Sequence, residues 1–177
     1  QSYDDYAIDV TMARYADNLE TAAMSRSRRA EEESLLSVPE QRTLRGLGGQ
    51  VQWLGRQGNP NLAFRASRLA GKYKAPRVKD FKEANSIIRY AKKGRDFKLR
   101  FSAKVDIETA AVIGAVDAAF DNLDDGGSQR GHYLLLCNPE ILDCTDELQD
   151  VSVLEWVSNR IKRKVRSTLA AEGYSMG

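Results

Sequence analysis

The sequence contains little cysteine and histidine, and this narrows the chemistry open to it. Cys137 and Cys144 are the two cysteines, and His132 is the single histidine. A structural zinc site takes about four Cys or His ligands in paired spacing, so a zinc domain is excluded. A disulfide between the two cysteines is possible, but two reduced thiols are the interpretation that the sequence favours.

Long hydrophobic runs are also lacking. No stretch approaches the roughly 18 consecutive apolar residues of a membrane-spanning helix, and no basic region followed by an apolar stretch opens the sequence as in a signal peptide. We therefore expect no membrane association and a cytoplasmic or nuclear location. Hydrophobic residues make up 42% of the 177 residues, which is enough for one or two small domains with their own cores.

Charge is segregated along the chain, although the net charge is only +2. Residues 65–104 contain fourteen Lys and Arg against three Asp and Glu, whereas residues 105–155 contain one against twelve. Such a division suits a protein that binds a phosphate backbone on one surface and a divalent metal on another. The alternative is that the two segments neutralise each other in the fold.

The first hundred residues show helical periodicity. A helix is predicted to begin after Ser37, whose capping box would include Glu40, and to end before Gly58. Two more helices are predicted, one from Asn61 and one over residues 78–92. Three helices with short connections indicate a compact helical unit.

Residues 25–33, which precede these helices, are polar and charged and are predicted to form an exposed loop.

After the helices, the spacing of the apolar residues changes to the alternation that is typical of strands. A helix is predicted to begin at Ser167 and Thr168. The predicted strands cover residues 97–101, 110–120, 132–137 and 151–157. This order indicates an α+β protein, with a helical region over residues 1–104 and a second region over residues 105–177.

Asp117 is the first candidate functional residue. It lies near the end of a predicted buried strand, where a carboxylate is costly unless a cation or hydrogen bonds compensate it. Metal binding is one such compensation, and a capping or turn role is the other. Glu172 is the second candidate, because it follows an alanine pair early in the last predicted helix.

Four segments around these residues resemble the ribonuclease H domain of copia-type retrotransposons. Val116–Phe120 (VDAAF) resembles the Asp-Ala-Asp-Trp stretch on the first strand. Ser128–Tyr133 (SQRGHY) resembles the Ser-Thr-Ser-Gly-Tyr entry into the second strand. Glu155–Arg160 (EWVSNR) resembles Trp-Ser-Ser-Lys-Lys-Gln on the third strand. Arg166–Glu172 (RSTLAAE) resembles Ser-Ser-Thr-Glu-Ala-Glu, the helix start that supplies the second catalytic acid.

Three upstream segments resemble the region that follows the reverse-transcriptase palm in the same polyproteins. Leu44–Leu54 (LRGLGGQVQWL) resembles the helix Tyr-Arg-Ser-Leu-Leu-Gly-Ser-Leu-Leu-Tyr-Leu. Asn59–Phe64 (NPNLAF) resembles the Arg-Pro-Asp-Ile-Ala-Phe that comes after it. Ala84–Lys92 (ANSIIRYAK) resembles the helix Leu-Lys-Arg-Val-Leu-Arg-Tyr-Leu-Lys. The resemblance covers roughly residues 6–177, and its seven segments occur in the family's order.

The resemblance implies a reverse-transcriptase connection followed by a partial ribonuclease H-like domain of three strands and the first helix. The family cleaves the RNA strand of an RNA–DNA hybrid with two divalent ions. Asp117 and Glu172 would then be catalytic residues and ligands of Mg²⁺ or Mn²⁺. The basic helices would lie along the hybrid backbone. The expected nucleic-acid-binding residues are Arg65, Arg68, Lys72, Lys74, Lys92, Lys93 and Arg95.

The sequence also departs from the family pattern. The family's third metal-binding aspartate would fall after Gly177, so we expect hydrolysis to need the rest of the fold from another chain. Tyr3-Asp4-Asp5 matches the polymerase motif at a position where the family does not place it, and we interpret this as coincidence. Asp121, Asp124 and Asp125 are either further ligands or a solvated acidic turn. The rival interpretation of the whole chain is a non-enzymatic remnant, a structural or nucleic-acid-binding subunit of a larger assembly.

Overall fold

A computed structural model describes residues 7–123, 125–143, 148–163 and 165–175. The chain divides into two compact units. Residues 12–97 form the first, which we call the helical unit. Residues 7–11 together with the described residues from 98 to 175 form the second, which we call the sheet unit.

The helical unit contains five α-helices. A 3₁₀ helix, Pro60–Leu62, leads directly into the fourth of them. The helices are α1 (Ala13–Asp17), α2 (Arg26–Ala30), α3 (Val38–Gln57), α4 (Ala63–Gly71) and α5 (Val78–Lys93). The three long helices begin close to where the sequence predicts, and α3 and α5 also end close to the predicted positions.

The start of α3 confirms the predicted capping box and shows a partner that the sequence did not reveal. Glu40 accepts a hydrogen bond from the Ser37 backbone N–H at 2.7 Å. Arg28 donates to the same carboxylate from Nε at 2.9 Å and from Nη2 at 3.0 Å. Bonding to Arg28, and then to Ser37, lowers the pKa of Glu40 to about 2.

The loop predicted for residues 25–33 is wrong in part, because Arg26–Ala30 forms α2. The Ser25 hydroxyl accepts a hydrogen bond from the Arg28 backbone N–H at 3.2 Å and caps this short helix. A five-residue helix has little stability of its own. The helix is stabilised by the bonds from Arg28 to Glu40, which lies twelve positions further along the chain. Local periodicity in the sequence does not predict a contact of this kind.

The core of the helical unit is formed by the apolar stripes of α3, α4 and α5. Leu44, Val51, Leu62, Leu69 and Ile88 are fully buried in it. Gly48 lies where α3 meets α4, and a Cβ built on it would be only 1.7 Å from the hydroxyl oxygen of Tyr73. This glycine therefore allows the Tyr73 ring to pack against α3.

We expect opposite effects from alanine at two adjacent glycines of α3. Gly48→Ala should lower the free energy of unfolding by about 1–3 kcal/mol, because the new methyl group displaces Tyr73. Gly49→Ala, where a Cβ has no neighbour within 4 Å, should raise it by up to about 1 kcal/mol through higher helix propensity. Urea unfolding measures both, and a stabilised Gly48→Ala variant would contradict the close packing.

The sheet unit contains two sheets, both antiparallel. In the smaller one, β1 (Ile8–Thr11) pairs with β2 (Lys98–Phe101), with Ile8 opposite Phe101. The larger sheet has the order β3-β4-β5. Its strands are β3 (Ala111–Ala119), β4 (Gln129–Cys137) and β5 (Val151–Arg160). A 3₁₀ helix, Pro139–Asp143, follows β4, and the register between β4 and β5 shifts at Leu134 and Leu135.

The two units divide the chain differently from the predicted regions 1–104 and 105–177. Strand β1 precedes the helical unit and β2 follows it, yet the two strands pair. Beyond β2, the Ser102 backbone N–H donates to the Ser152 hydroxyl at 3.1 Å and so joins this segment to β5. Pairing over some ninety residues leaves no local signal, and for this reason the helical region looked continuous with the N-terminus.

The last helix, α6 (Thr168–Ser175), begins where predicted, and the Ala170 backbone N–H donates to the Ser167 hydroxyl at 3.2 Å. It packs through Ala171 on a small apolar cluster with Ile161 and Val165. The observed class is thus α+β, with a helical unit and a three-stranded antiparallel sheet, as predicted. No helix in the described ranges is both long and apolar enough to cross a membrane.

Candidate nucleic-acid interface and carboxylates

The seven basic residues expected to bind nucleic acid differ in how far they are free to do so. Four of them make ion pairs or hydrogen bonds inside the helical unit. Arg68 pairs with Glu83 at 2.6 Å, and Lys72 lies 3.3 Å from Glu83 and 3.4 Å from Asp80.

The other two of these four reach back to the first residues of the unit. Lys92 donates from Nζ to the Leu19 backbone oxygen at 2.9 Å, and Arg95 pairs with Asp17 at 2.9 Å. These contacts join residues more than seventy positions apart, so the side chains hold the unit together as well as carrying charge.

The remaining three, Arg65, Lys74 and Lys93, are exposed. The guanidinium of Arg65 lies over the ring of Tyr90, 4.4 Å from its centre, which is a cation–π contact. No ion pair of Lys74 or Lys93 occurs in the described part of the chain. These three residues remain candidates for phosphate contacts.

The whole helical unit carries more positive charge than its own acids can pair. Residues 12–97 contain eighteen Lys and Arg and nine Asp and Glu, a net charge of +9. Eight of those acids, all except Glu20, form ion pairs with seven of the cations. This leaves eleven exposed cations without an ion pair within the unit, every residue of which the structure describes. The ion pairs are Arg28 with Glu31 and Glu40, Arg68 and Lys72 with Glu83, Lys72 with Asp80, Arg77 and Lys79 with Glu33, Lys82 with Glu32, and Arg95 with Asp17 and Asp96.

Three of these free cations share one side of α3 with an exposed tryptophan. At about 100° per residue, Arg42, Arg45, Gly49, Trp53 and Arg56 fall within an arc of about 80°. The three arginines are exposed, and 53% of Trp53 is exposed. Gly49 keeps the middle of this side open to solvent. We call these five residues the α3 arginine face.

The sequence prediction missed this face. Its arginines lie outside the dense basic stretch, and the charge count therefore drew attention to residues 65–104 instead. A signal was nevertheless present in the spacing, because Arg42, Arg45, Trp53 and Arg56 fall opposite the buried stripe of Leu44, Val51 and Leu54 on a helical wheel. What the spacing could not show is that no acid of the helical unit pairs with these three arginines.

The structure places Asp117 on β3, opposite Gly131 of β4, with its side chain exposed. Glu172 lies in α6 and is also exposed. Their positions on strand and helix match the resemblance. Neither carboxylate makes an ion pair or side-chain hydrogen bond within the described residues.

The direction of the Asp117 side chain follows from strand geometry. Neighbouring side chains in a strand point to opposite faces of the sheet. Ala118 packs on the cluster that contains Ala171 of α6, and Arg130, which is paired with Ala118, donates to the Tyr174 backbone oxygen at 2.6 Å. Helix α6 therefore covers the Ala118 face, and Asp117 points to the other one.

Asp117 therefore lies on the face of the sheet opposite to the one that α6 and its Glu172 cover, and the predicted metal site stays a prediction. Within the described residues there is no group of three or more His, Cys, Asp or Glu side chains arranged to hold a metal ion.

The acidic turn after β3 is occupied by contacts of its own. Asp125 pairs with Arg160 at 2.5 Å, and this contact lowers the pKa of Asp125. Asp121 adopts a positive φ of 52°, which suits an aspartate in a tight turn. These contacts fit the solvated-turn alternative. Cys137 is a buried free thiol, while Asp124, Cys144 and Tyr3-Asp4-Asp5 lie outside the described residues.

Comparison with protein-family models, with curated proteins and with solved structures finds no match to this chain. The α3 arginine face and the positions of Asp117 and Glu172 are therefore what the functional argument has to use.

Proposed function

We propose that this chain is part of a copia-type retroelement reverse transcriptase and ribonuclease H, and that its helical unit binds the phosphate backbone of nucleic acid. The order of the elements supports the first part of the proposal. A helical unit is followed by three antiparallel strands and then a helix, which is the order that the sequence resemblance implies.

The observation that carries the binding proposal is the α3 arginine face. Arginine side chains bind phosphate oxygens through paired N–H donors. A neighbouring exposed tryptophan offers a surface on which an unpaired base can stack. Arg42 and Arg56 lie about 21 Å apart along the helix axis at 1.5 Å per residue, so one face can contact several successive phosphates.

The proposal is tested by the salt dependence of binding. Fluorescence anisotropy with a labelled RNA–DNA hybrid, and with a single-stranded RNA of equal length, should give an affinity that falls linearly with salt on a double-logarithmic plot. Each neutralised phosphate contributes roughly −0.9 to the slope of log affinity against log salt. A hybrid that contacts all three arginines of the face should therefore give a slope of about −3 or steeper. An affinity that does not change with salt would refute backbone binding.

The hydrolytic activity of the family is the further part of this proposal. Asp117 and Glu172 would hold Mg²⁺ or Mn²⁺, which would activate water and stabilise the leaving oxygen. The direction of Asp117, away from α6, counts against this arrangement in the isolated chain. A second carboxylate beside Asp117 would be needed to hold two ions.

We expect the chain alone to cleave an RNA–DNA hybrid no faster than its Asp117→Asn variant, with either Mg²⁺ or Mn²⁺ present. The physical reason is that one exposed carboxylate, without a second beside it, does not position two cations. Gel analysis of end-labelled hybrid measures cleavage, and a Glu155→Gln variant is a control for removal of a sheet carboxylate. If the wild-type chain cleaves, and cleavage is lost in Asp117→Asn but kept in Glu155→Gln, the catalytic assignment of Asp117 is correct and our inference about its direction is wrong.

A second candidate function is a structural subunit of a larger assembly. The observation that favours it is apolar exposure on the sheet: Val112 is 60% exposed, Val116 46% and Tyr133 39%. Val112 and Val116 lie on the Ala118 face and Tyr133 on the Asp117 face, so both faces expose apolar area. Exposed apolar area of this kind often marks a surface that another chain covers.

A further inference from the structure

A cleft in the helical unit gathers three cations. It has a volume of about 310 Å³ and lies between residues 21–24 and one side of α5. Lys82, Asn85 and Arg89 line it from successive turns of α5, and Arg29 of α2 is a further lining residue. None of these residues belongs to the α3 arginine face.

The walls of this cleft are held in place by hydrogen bonds. The Ala22 backbone N–H donates to Asn85 Oδ1 at 2.9 Å, and Asn85 Nδ2 donates back to the Ala22 carbonyl oxygen at 2.9 Å. The bond from Lys92 to the Leu19 carbonyl oxygen holds the same segment about two turns further along α5. The cleft is therefore formed before any ligand arrives, which lowers the cost of binding.

The charges that line the cleft are only partly compensated. Glu32 pairs with Lys82. Arg29 and Arg89 have no ion-pair partner within the helical unit, and none of the lining residues is acidic. Two guanidinium groups without a carboxylate partner thus line one cleft, and an anion bound there would offset their mutual repulsion.

The other lining residues indicate that the ligand has an apolar part beside its anionic group. Met24 contributes apolar surface to the cleft, and Phe81, which is only 2% exposed, lines it from the core. The volume lies at the lower end of the range for small-molecule pockets, about 300–1,000 Å³. A phosphate group next to a flat, largely apolar body fits both the cations and this floor.

We propose that this cleft binds a nucleotide phosphate, with the phosphate between Arg29 and Arg89 and the base against Met24. Lys82 adds a third donor on the same side. The phosphate could come from a free nucleotide or from the phosphorylated end of a nucleic acid strand, since both present the same chemical group to the arginines.

Titration of the full chain by heteronuclear NMR with AMP, adenosine, and single strands with and without a 5′-phosphate tests the proposal. AMP or the phosphorylated strand should shift the amides of residues 21–24 and of Arg89 in a saturable way, whereas adenosine and the strand without phosphate should not. Saturation by AMP identifies a free-nucleotide site, and saturation by the phosphorylated strand alone identifies a strand-end site. Absence of saturation with both phosphorylated ligands would refute the proposal.

Variants separate the cleft from general positive charge. Arg29→Gln with Arg89→Gln should weaken phosphate binding by at least about tenfold, because two charged hydrogen-bond donors are lost. Arg14→Gln with Arg26→Gln makes the same change of net charge on exposed residues outside the cleft and should leave the affinity unchanged. Equal affinities of the two double variants would overturn the assignment.

A third variant tests the cleft without removing any arginine. Ala23→Glu places a carboxylate at the exposed rim and should abolish the saturable shifts by repelling the phosphate. Salt-dependent hybrid binding through the α3 arginine face should persist in every cleft variant. Failure of this proposal is therefore distinguishable from failure of the proposed interface on α3.

Discussion

Replacing Arg42, Arg45 and Arg56 together by glutamine is expected to weaken binding of an RNA–DNA hybrid by about 100-fold near physiological salt. An arginine that binds a phosphate releases counterions from the nucleic acid, whereas an uncharged glutamine at the same position releases none. The slope of the logarithm of affinity against the logarithm of salt should become less steep by roughly 2–3. Fluorescence anisotropy over a range of salt concentrations measures both quantities.

A matched triple variant separates this face from the one that the sequence predicted. The matched variant replaces Arg65, Lys74 and Lys93 by glutamine and changes the net charge by the same amount as the α3 variant. Arg65 lies in α4, Lys74 follows α4, and Lys93 is the last residue of α5. If the α3 arginine face binds the backbone, this variant should lose much less affinity. A larger loss than in the α3 variant would move the interface to the sequence-predicted residues and refute our placement.

Trp53→Ala gives a further distinction between bound forms. Loss of a stacking surface should cost about 1–3 kcal/mol for a single strand, whose bases are free to stack. For a hybrid, whose bases are paired, the same variant should change the affinity little. Equal losses for both nucleic acids would show that Trp53 acts through the packing of α3 and not by stacking.

Leu69→Ala is expected to lower the free energy of unfolding of the helical unit by about 2–5 kcal/mol. Leu69 is completely buried in the core between α3 and α4, and its side chain approaches the position of a Cβ on Gly48. Truncation removes apolar contacts and leaves a cavity that the rigid helices fill only in part. Such a loss is a large fraction of the stability of a small domain.

Leu35→Ala is the matched control, because Leu35 is 60% exposed and the same atoms are removed. Its effect should stay within about 0.5 kcal/mol. Urea unfolding followed by fluorescence in a Trp156→Phe background reports on Trp53, and thus on the helical unit alone. Similar losses in the two variants would mean that Leu69 does not lie in a packed core.

The charged side chains show where local reasoning reached its limit. Arg68 and Lys93 look equivalent in the sequence, since both are basic residues on amphipathic helices. Arg68 pairs with Glu83 of the next helix, whereas Lys93 is exposed and without an ion pair in the helical unit. Because the distinction depends on a contact between helices, composition and spacing could not supply it.

The carboxylates show the same limit for the sheet. The resemblance placed Asp117 on a strand and Glu172 on a helix, and both are found there. Whether they converge depends on the face that α6 covers. The packing of Ala118 against Ala171, and the bond from Arg130 to Tyr174, decide this. Neither contact has a signature in the sequence.

The sequence by itself determined the long helices, the strands and the α+β class, because capping residues, breakers and apolar periodicity act over a few neighbouring positions. Only the tertiary structure decided that β1 pairs with β2, although the whole helical unit separates them in the sequence, that three arginines of α3 have no ion pair within that unit, and that Asp117 turns away from α6. Each of these depends on residues that are far apart in the chain, and their contacts exist only after the elements have packed.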